Sequence, residues 1–255
     1  MDKELAKQSL DAAVKAATKA GNALRELLSA DIKINSSVGK DIKLEADLVA
    51  EKAILDTLHA ESAFGILSEE AGEVLNADGT KGDSQYQWIV DPLDGSLNFS
   101  RGIDIFCTSI GLWNGSEPVL GVVYDFMHGR LFTGIVGEGA WLNGDAISVS
   151  AIAEKKDSIL ATGFPVYLKF DTAVLQDFVK NIQDYKKVRL FGSAATSLAY
   201  VAKGSVEAYA ENNIAVWDVA AGLALVLAAG GKADISNGTG KNFLNVYAYN
   251  SLIQQ

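Results

Sequence analysis

The order of patterns along the chain predicts an α+β half joined to an α/β half, meeting near residues 144–157. Two helix-period segments come first. Short strand-like runs broken by glycine turns follow, and beyond residue 157 strands alternate with helices.

Residues 3–29 place Leu10, Val14, Ala17, Leu24, Leu27 and Leu28 on one helical face and charges on the other. A second helix is expected from about residue 43 to 59. Residues 65–67 read as a strand, 76–84 as a polar loop and 88–90 as a strand. Further strands are expected at 105–112, 119–124, 131–136 and 140–142, with Asn143-Gly144 as a turn. Strands at 158–162, 187–191 and 206–210 then alternate with helices at 172–183, 194–202 and 218–229. Gly230-Gly231 closes the last helix as a glycine C-cap, and no element is assigned beyond it. On this reading residues 1–146 form an N-terminal subdomain and 147–255 a C-terminal one.

With 49% hydrophobic and 21% charged residues, the 255-residue chain is of ordinary globular composition, neither disordered nor fibrous. Twenty-two basic against thirty-two acidic residues leave a net charge of −10. No basic stripe occurs, so nucleic acid and an anionic membrane are not expected partners. A phosphorylated substrate remains compatible with this charge if metal cations reverse the local field. The single cysteine, Cys107, excludes an internal disulfide. The first thirty residues lack the pattern of a signal peptide, and no apolar stretch reaches ~20 residues, so a cytoplasmic location is expected.

Two histidines, His59 and His128, are too few for a histidine-built zinc site. His59 reads as a helix-end cation favoured by the dipole, His128 as a solvated turn residue and Cys107 as core packing. Carboxylates carry the stronger signal. In the run from Trp88 to Phe99 a strand enters a tight turn, with Asp91 and Asp94 three apart across Pro92. Neighbouring carboxylates resist joint ionisation unless they share a cation, and an all-oxygen set suits Mg²⁺. The same residues could instead build an Asx turn.

Ser68-Glu69-Glu70 offers two adjacent carboxylates, either ligands or a solvated loop pair. Asp218, in Trp217-Asp218-Val219-Ala220-Ala221-Gly222, opens an apolar helix that it could cap, while still having an oxygen for a metal. In the second helix Leu44, Leu48, Leu55 and Leu58 form the expected apolar stripe, and Asp47 and Glu51 project into it. Buried carboxylates are costly unless paired or metal-bound, so both are candidates for an inward-facing site.

Taken together, Ser68-Glu69-Glu70, Asp91-Pro92-Leu93-Asp94-Gly95-Ser96-Leu97-Asn98-Phe99 and the Trp217–Gly222 segment resemble the inositol monophosphatase family in order and separation, over essentially the whole chain. The resemblance implies a layered αβαβα sandwich of the inositol monophosphatase/fructose-bisphosphatase type. Such proteins are usually dimeric, hydrolyse small phosphate monoesters with Mg²⁺ and are commonly inhibited by Li⁺. It implies Glu69, Asp91, the Leu93 carbonyl, Asp94 and Asp218 as metal ligands, with Glu70 serving an additional metal or its water shell. Asp47 matches the acid that orients the attacking water together with the hydroxyl after the motif glycine, here Ser96. Gly95 and Ser96 would contact phosphate through their amides. Ser193, Ala194, Glu211 and Asp218 would meet the substrate, although Glu211 reads equally as an exposed charge at a strand end.

Two features depart from the family pattern. Ser96 stands where threonine is usual, and the stretch from Val38 to Asp47 lacks the usual threonine shortly before the aspartate. Asn98 favours the inositol branch, since the nucleotidase and some histidinol-phosphatase relatives usually carry lysine there. The expected substrate is inositol monophosphate or a similar polyol or sugar phosphate. Alternatives are bisphosphate nucleotides, fructose 1,6-bisphosphate and histidinol phosphate, or a regulatory role through a protein partner.

Overall fold

A computed structural model describes residues 1–28, 34–38, 41–75, 79–80, 83–164 and 172–253; of 34–38, 41–44 and 83–84 it describes the backbone alone. Residue 29, residues 39–40 before Asp47, and most of the expected loop 76–84 lie outside the described residues.

The elements run α1 (Lys3–Leu27), β1 (Ile34–Val38), β2 (Asp41–Leu44), α2 (Glu45–Glu61), β3 (Phe64–Ser68), β4 (Gly72–Val74) and β5 (Asp83–Asp94). Then come α3 (Ser96–Ser100), β6 (Cys107–Asn114), β7 (Glu117–Asp125), β8 (Arg130–Ile135), β9 (Gly139–Leu142) and β10 (Asp145–Ile147). The second half holds β11 (Ile159–Thr162), α4 (Thr172–Ile182), β12 (Lys187–Arg189), α5 (Ala194–Ala202), β13 (Ala208–Ala215), α6 (Val216–Ala228), β14 (Lys232–Asn237) and β15 (Phe243–Tyr249).

An eight-stranded sheet has the order β10-β9-β8-β7-β6-β5-β3-β4, antiparallel except for the parallel pair β3 and β5. A five-stranded mixed sheet has the order β12-β11-β13-β15-β14. Helices α1 and α2 cover one face of the first sheet, through a core that includes Ala16, Ala20, Leu24, Ala50, Ile54, Trp88 and Phe106. Its other face shares a core with α5, α6 and the second sheet, from Ile89 and Val123 through Leu198, Ala220 and Leu225 to Tyr209 and Val246. Ile182 of α4 packs on the far side of the second sheet, against the group Leu160, Tyr185, Ala208 and Tyr247. The layers are therefore α, β, α, β, α. Dividing the chain at residues 146/147 into subdomains is our proposal; the shared central helices bind the two parts into one core.

Several expectations are corrected here. The second helix buries Ala46, Asp47, Ala50, Glu51, Ile54, Thr57 and Leu58, while Leu48 is 51% exposed. The leucine stripe is thus displaced, because α1 and α2 meet through alanines that let the backbones approach. α1 likewise buries Ala13, Ala16, Ala17 and Ala20, leaving Leu10 and Val14 partly covered. α6 begins two residues before Asp218. The hairpin of β1 and β2 and the strands β4, β10, β14 and β15 were not expected. β14 and β15 carry Asp234, Asn237 and Asn245 among their apolar residues, which blurs the strand period.

Close packing of α6 depends on three glycines paired across the sheet, Gly111 with Gly121 and Gly121 with Gly134. A Cβ on Gly121 would lie 2.2 Å from the Ala221 carbonyl oxygen, and one on Gly111 would lie 2.9 Å from the backbone of Ala220. The helix carrying Asp218 is consequently seated backbone against backbone on β6 and β7.

Candidate active site

Strands β3 and β5 run parallel, with Ser68 opposite Val90, so their carboxyl ends present Glu69 and Asp91 side by side. The Glu69 N–H donates to the Val90 carbonyl at 3.1 Å, which holds the two segments together. Ligand sites favour the carboxyl ends of parallel strands. Asp91 is 1% exposed, and its Oδ1 accepts the Leu93 N–H at 3.0 Å. The Asx-turn reading is therefore correct, and it leaves the second carboxylate oxygen for another partner.

Asp94 joins the two halves of the molecule. Its Oδ2 accepts from Ser193 Oγ at 2.6 Å and from the Ala195 N–H at 2.7 Å, and its Oδ1 accepts from the Ala194 N–H at 3.3 Å. Ser193 is also the N-cap of α5, accepting from the Thr196 N–H, so this buried serine is engaged under Asp94. Cys107 lies beneath the same carboxylate and is fully buried, with its thiol pushed up by desolvation and then by the Asp94 charge.

Gly95 adopts φ 91°, and a Cβ there would lie 2.9 Å from the Ile105 carbonyl oxygen, so both conformation and space demand glycine. The turn it makes starts α3 and brings Ser96 back over Leu93. Ser96 Oγ lies 2.8 Å from the Leu93 carbonyl oxygen and 3.0 Å from Asp47 Oδ1, two acceptors for one hydroxyl proton. Asn98 binds the carbonyls of Ile105 and Phe191, each at 2.8 Å. It clamps α3 to the segment before α5.

Asp218 lies in the first turn of α6, where Ala215 is the N-cap residue and offers no side-chain bond. The capping alternative for Asp218 is thus set aside, and its carboxylate faces the acidic group. Burial holds the Asp91 carboxyl well above its ordinary range, and the charges of Glu69, Asp94 and Asp218 and a hydrogen bond with Glu69 push it further. Asp94 is pushed up to about 6 by burial, against the lowering by its Ser193, Ala194 and Ala195 bonds. Carboxylates from three separate motifs thus converge on Asp91. Glu70 is half-buried in the turn after Glu69.

Glu211 is pushed up to about 7 by burial, with the Tyr209 hydroxyl lowering it and Asp94 raising it. Tyr209 donates to Glu211 Oε2 at 2.8 Å. This partner was missed, yet the i, i+2 spacing on one strand would have pointed to it. Elsewhere, His128 is an exposed turn residue, as expected, with Nδ1 3.0 Å from the buried Asp125 carboxylate that also accepts from Arg130. His59 lies in the last turn of α2 with its Nε2 buried.

The donor set fits a hard cation. It is built of oxygens, carries surplus negative charge in a buried place, and has Ser109 opposite Asp91 with a buried hydroxyl that no described protein group satisfies. Among the described residues no three acidic, histidine or cysteine side chains already converge as a finished metal cage. That agrees with the geometry above. Asp91 and Asp94 turn oxygens toward backbone and serine donors.

Two sheets layered between helices, with carboxylates gathered where parallel strands end, define the fold class shared by inositol monophosphatases and fructose bisphosphatases. The inositol monophosphatase family model matches residues 6–250, and the chain belongs to that family. The protein named Nus factor SuhB from Escherichia coli is 38% identical over 226 residues, covering 87% of this chain and 83% of that protein. The inositol-1-monophosphatase of Mesorhizobium japonicum is 34% identical over 253 residues, covering 96% and 93%. Among solved structures, the extragenic suppressor protein suhB from Bartonella henselae superposes with a TM-score of 0.83 at 35% identity, covering 95% and 93%. Membership supports a phosphatase of this superfamily, whose members generally depend on Mg²⁺. Among the described residues no helix is long and apolar enough to cross a membrane.

Proposed function

We propose that this chain is a Mg²⁺-dependent phosphatase that hydrolyses a small phosphate monoester, inositol monophosphate or a similar polyol or sugar phosphate. We further propose a homodimer working in the cytoplasm. The observation that carries the reading is the Asp91 carboxylate, raised first by burial and then by Glu69, Asp94 and Asp218, in the turn whose Leu93 carbonyl meets Ser96, itself bonded to Asp47. Glu69, Asp91, the Leu93 carbonyl, Asp94 and Asp218 would hold Mg²⁺, with Glu70 serving an additional ion. Bound there, Mg²⁺ supplies positive charge that lowers the pKa of water and stabilises the leaving oxygen.

The chain's own residues do the rest. When the Ser96 hydroxyl donates its hydrogen bond to Asp47, its lone pairs remain to accept a hydrogen bond from water and orient it. The Gly95 and Ser96 amides face the phosphate. α3 is only one turn long, so individual N–H groups rather than a helix macrodipole bind the anion. Glu211, near Asp94 and pinned by Tyr209, would accept a hydroxyl of the alcohol, with Ser193 and Ala194 bordering the same place.

A panel of inositol monophosphate, fructose 1,6-bisphosphate, a 3′-phosphoadenosine phosphate and histidinol phosphate, assayed for phosphate release with and without Mg²⁺, tests this. Turnover is expected with Mg²⁺ alone and fastest on the polyol ester. Silence across the panel would overturn the reading and favour the second one, action through a protein partner, which the relatives named Nus factor SuhB motivate.

Two predictions arise here. Ser96→Ala should lower kcat by about 10²–10⁴-fold, the scale of a lost proton-positioning group. Ser96→Thr should stay within a few-fold of the parent, since it keeps the oxygen and adds only the methyl that restricts its rotamer. Equal activity in all three would remove Ser96 from the mechanism.

The second concerns Glu211. Its folded pKa of about 7 lies above the ordinary value of 4.5. The folded chain therefore keeps a proton that the unfolded chain releases, and stability falls as pH rises toward and through 7. Glu211→Gln removes that loss and keeps an acceptor for Tyr209. It should raise Tm at pH 8, by the equivalent of about 1–2 kcal/mol after discounting for partial exposure, and leave pH 4.5 nearly unchanged. Melting curves at the two pH values decide it; a uniform shift would count against a buried charge.

A further inference from the structure

We propose that Glu51 is a positioning residue for the cation site, acting by tying together the two ends of the turn that carries Glu69 and Glu70. The inference rests on the reading above that Glu69 ligates the cation. Glu51 is an acidic residue on the buried face of α2, only 8% exposed, and the mechanism just described does not use it.

Its Oε1 accepts the Ser68 hydroxyl at 2.5 Å and the Ala71 N–H at 2.9 Å. Ser68 and Gly72 pair across the hairpin of β3 and β4, so residues 69–71 form a three-residue loop closed by a glycine at φ 70°. One carboxylate oxygen thus grips the residue before Glu69 and the residue after Glu70. The turn needs such a grip, because β4 is a three-residue edge strand that among the described residues pairs with β3 alone. Glu69 and Glu70 are acidic neighbours that would otherwise splay the loop toward water.

The placement on α2 adds a second link. Asp47 lies one helical turn before Glu51, on the same buried face, and is bonded to Ser96. One rigid helix therefore sets the distance between the turn bearing Glu69 and the turn bearing Ser96. This explains why two carboxylates occupy a helix face otherwise made of Ala46, Ala50, Ile54 and Leu58. Asp47 addresses the hydroxyl and Glu51 the ligand loop.

The test measures Mg²⁺ binding to the full chain by calorimetry without substrate, together with the Tm rise on adding Mg²⁺. Glu51→Ala removes the acceptor and should weaken Mg²⁺ binding about 10–100-fold, the range for groups that orient metal ligands, and shrink the Tm rise accordingly. Glu51→Gln retains an oxygen for both donors and should restore binding to within a few-fold. At saturating Mg²⁺, KM for the ester should move less than about threefold in either variant, since Glu51 does not meet the ester.

A purely structural role would lower the Tm of metal-free Glu51→Ala while leaving its Mg²⁺ affinity unchanged, and that result overturns the proposal. Should Glu51→Ala fail to fold, Ser68→Ala removes one of the two bonds and should weaken Mg²⁺ binding about 3–10-fold; unchanged binding there is equally decisive. Absence of Mg²⁺ binding by the unsubstituted chain would instead overturn the metal reading, and this inference with it.

Discussion

Replacing Asp91 with asparagine is expected to cut Mg²⁺-dependent phosphate release by at least about a hundredfold while making the metal-free protein more stable at neutral pH. The first effect follows from position. Asp91 is the most deeply buried of the four carboxylates and the one on which Glu69, Asp94 and Asp218 all act. Even outer-shell partners of a metal cost 10–100-fold when changed, so a ligand should cost no less. Asn keeps the Oδ1 that accepts the Leu93 N–H, so the turn itself should survive.

The second effect has a definite sign. Burial and three acidic neighbours hold the folded Asp91 pKa well above its ordinary value of 3.8. Above about pH 4 the folded state therefore binds a proton that the unfolded state has released, and metal-free stability declines as pH rises. Asn carries no such penalty. Metal-free Asp91→Asn should match the parent near pH 4 and exceed it increasingly toward pH 8. With Mg²⁺ the order should reverse, because only the parent gains from the cation, and more so at higher pH where fewer protons compete. Melting curves with and without Mg²⁺ at three pH values check this. A variant less stable than the parent at every pH without metal would show that the carboxylates do not strain the fold.

The other large effect is expected at Gly121. An added methyl would stand 2.2 Å from the Ala221 carbonyl oxygen, which belongs to helix backbone and cannot rotate aside. Either α6 lifts or β7 bends. Overpacking of this kind typically costs about 1–3 kcal/mol, and contact with the Ala221 main chain, which cannot yield, places Gly121→Ala at about 3 kcal/mol or beyond. For a chain of this size that lowers Tm by roughly 6–12 °C. Activity should fall as well, because α6 carries Asp218 in its first turn.

A graded series sharpens the prediction. Gly111→Ala meets the backbone of Ala220 at 2.9 Å, whereas Gly134→Ala meets the side chains of Ala228 and Leu225 at 3.0 and 3.1 Å. The loss of Tm should therefore rank Gly121 first, Gly111 second and Gly134 last. An inverted order would mean that α6 is not seated as described.

Much of this was legible because the chemistry is local in the chain. The run from Asp91 to Phe99 encodes its own turn: Asp91 bonds the amide two residues on, and Gly95 supplies the left-handed backbone. The three acidic motifs mark segments whose carboxylates the fold brings within reach of Asp91. The alternation of patterns indicated two sheets of different character.

Less legible were features whose cause lies in a distant partner. On α2 the expected stripe held at Leu58 and partly at Leu55 but failed at Leu48, because alanines make much of the buried face and hydropathy alone underrates them. The row formed by Gly111, Gly121 and Gly134 is spread over three strands and gains its meaning only once they pair.

The sequence by itself determined the family, the layered class of fold and the acidic segments of the site, since each motif is written within a dozen adjacent residues and the order of motifs runs along the whole chain. Tertiary structure alone decided how those residues are held. Asp94 is fixed by amides a hundred positions away in α5, and Ser193 is committed to that bond. Glu51 reaches a loop seventeen residues on. Asp218, in α6, is placed by glycines of the eight-stranded sheet. Hydrogen bonds and steric contacts act over a few ångströms in space whatever the distance along the chain, so these relations existed only once the layers had closed.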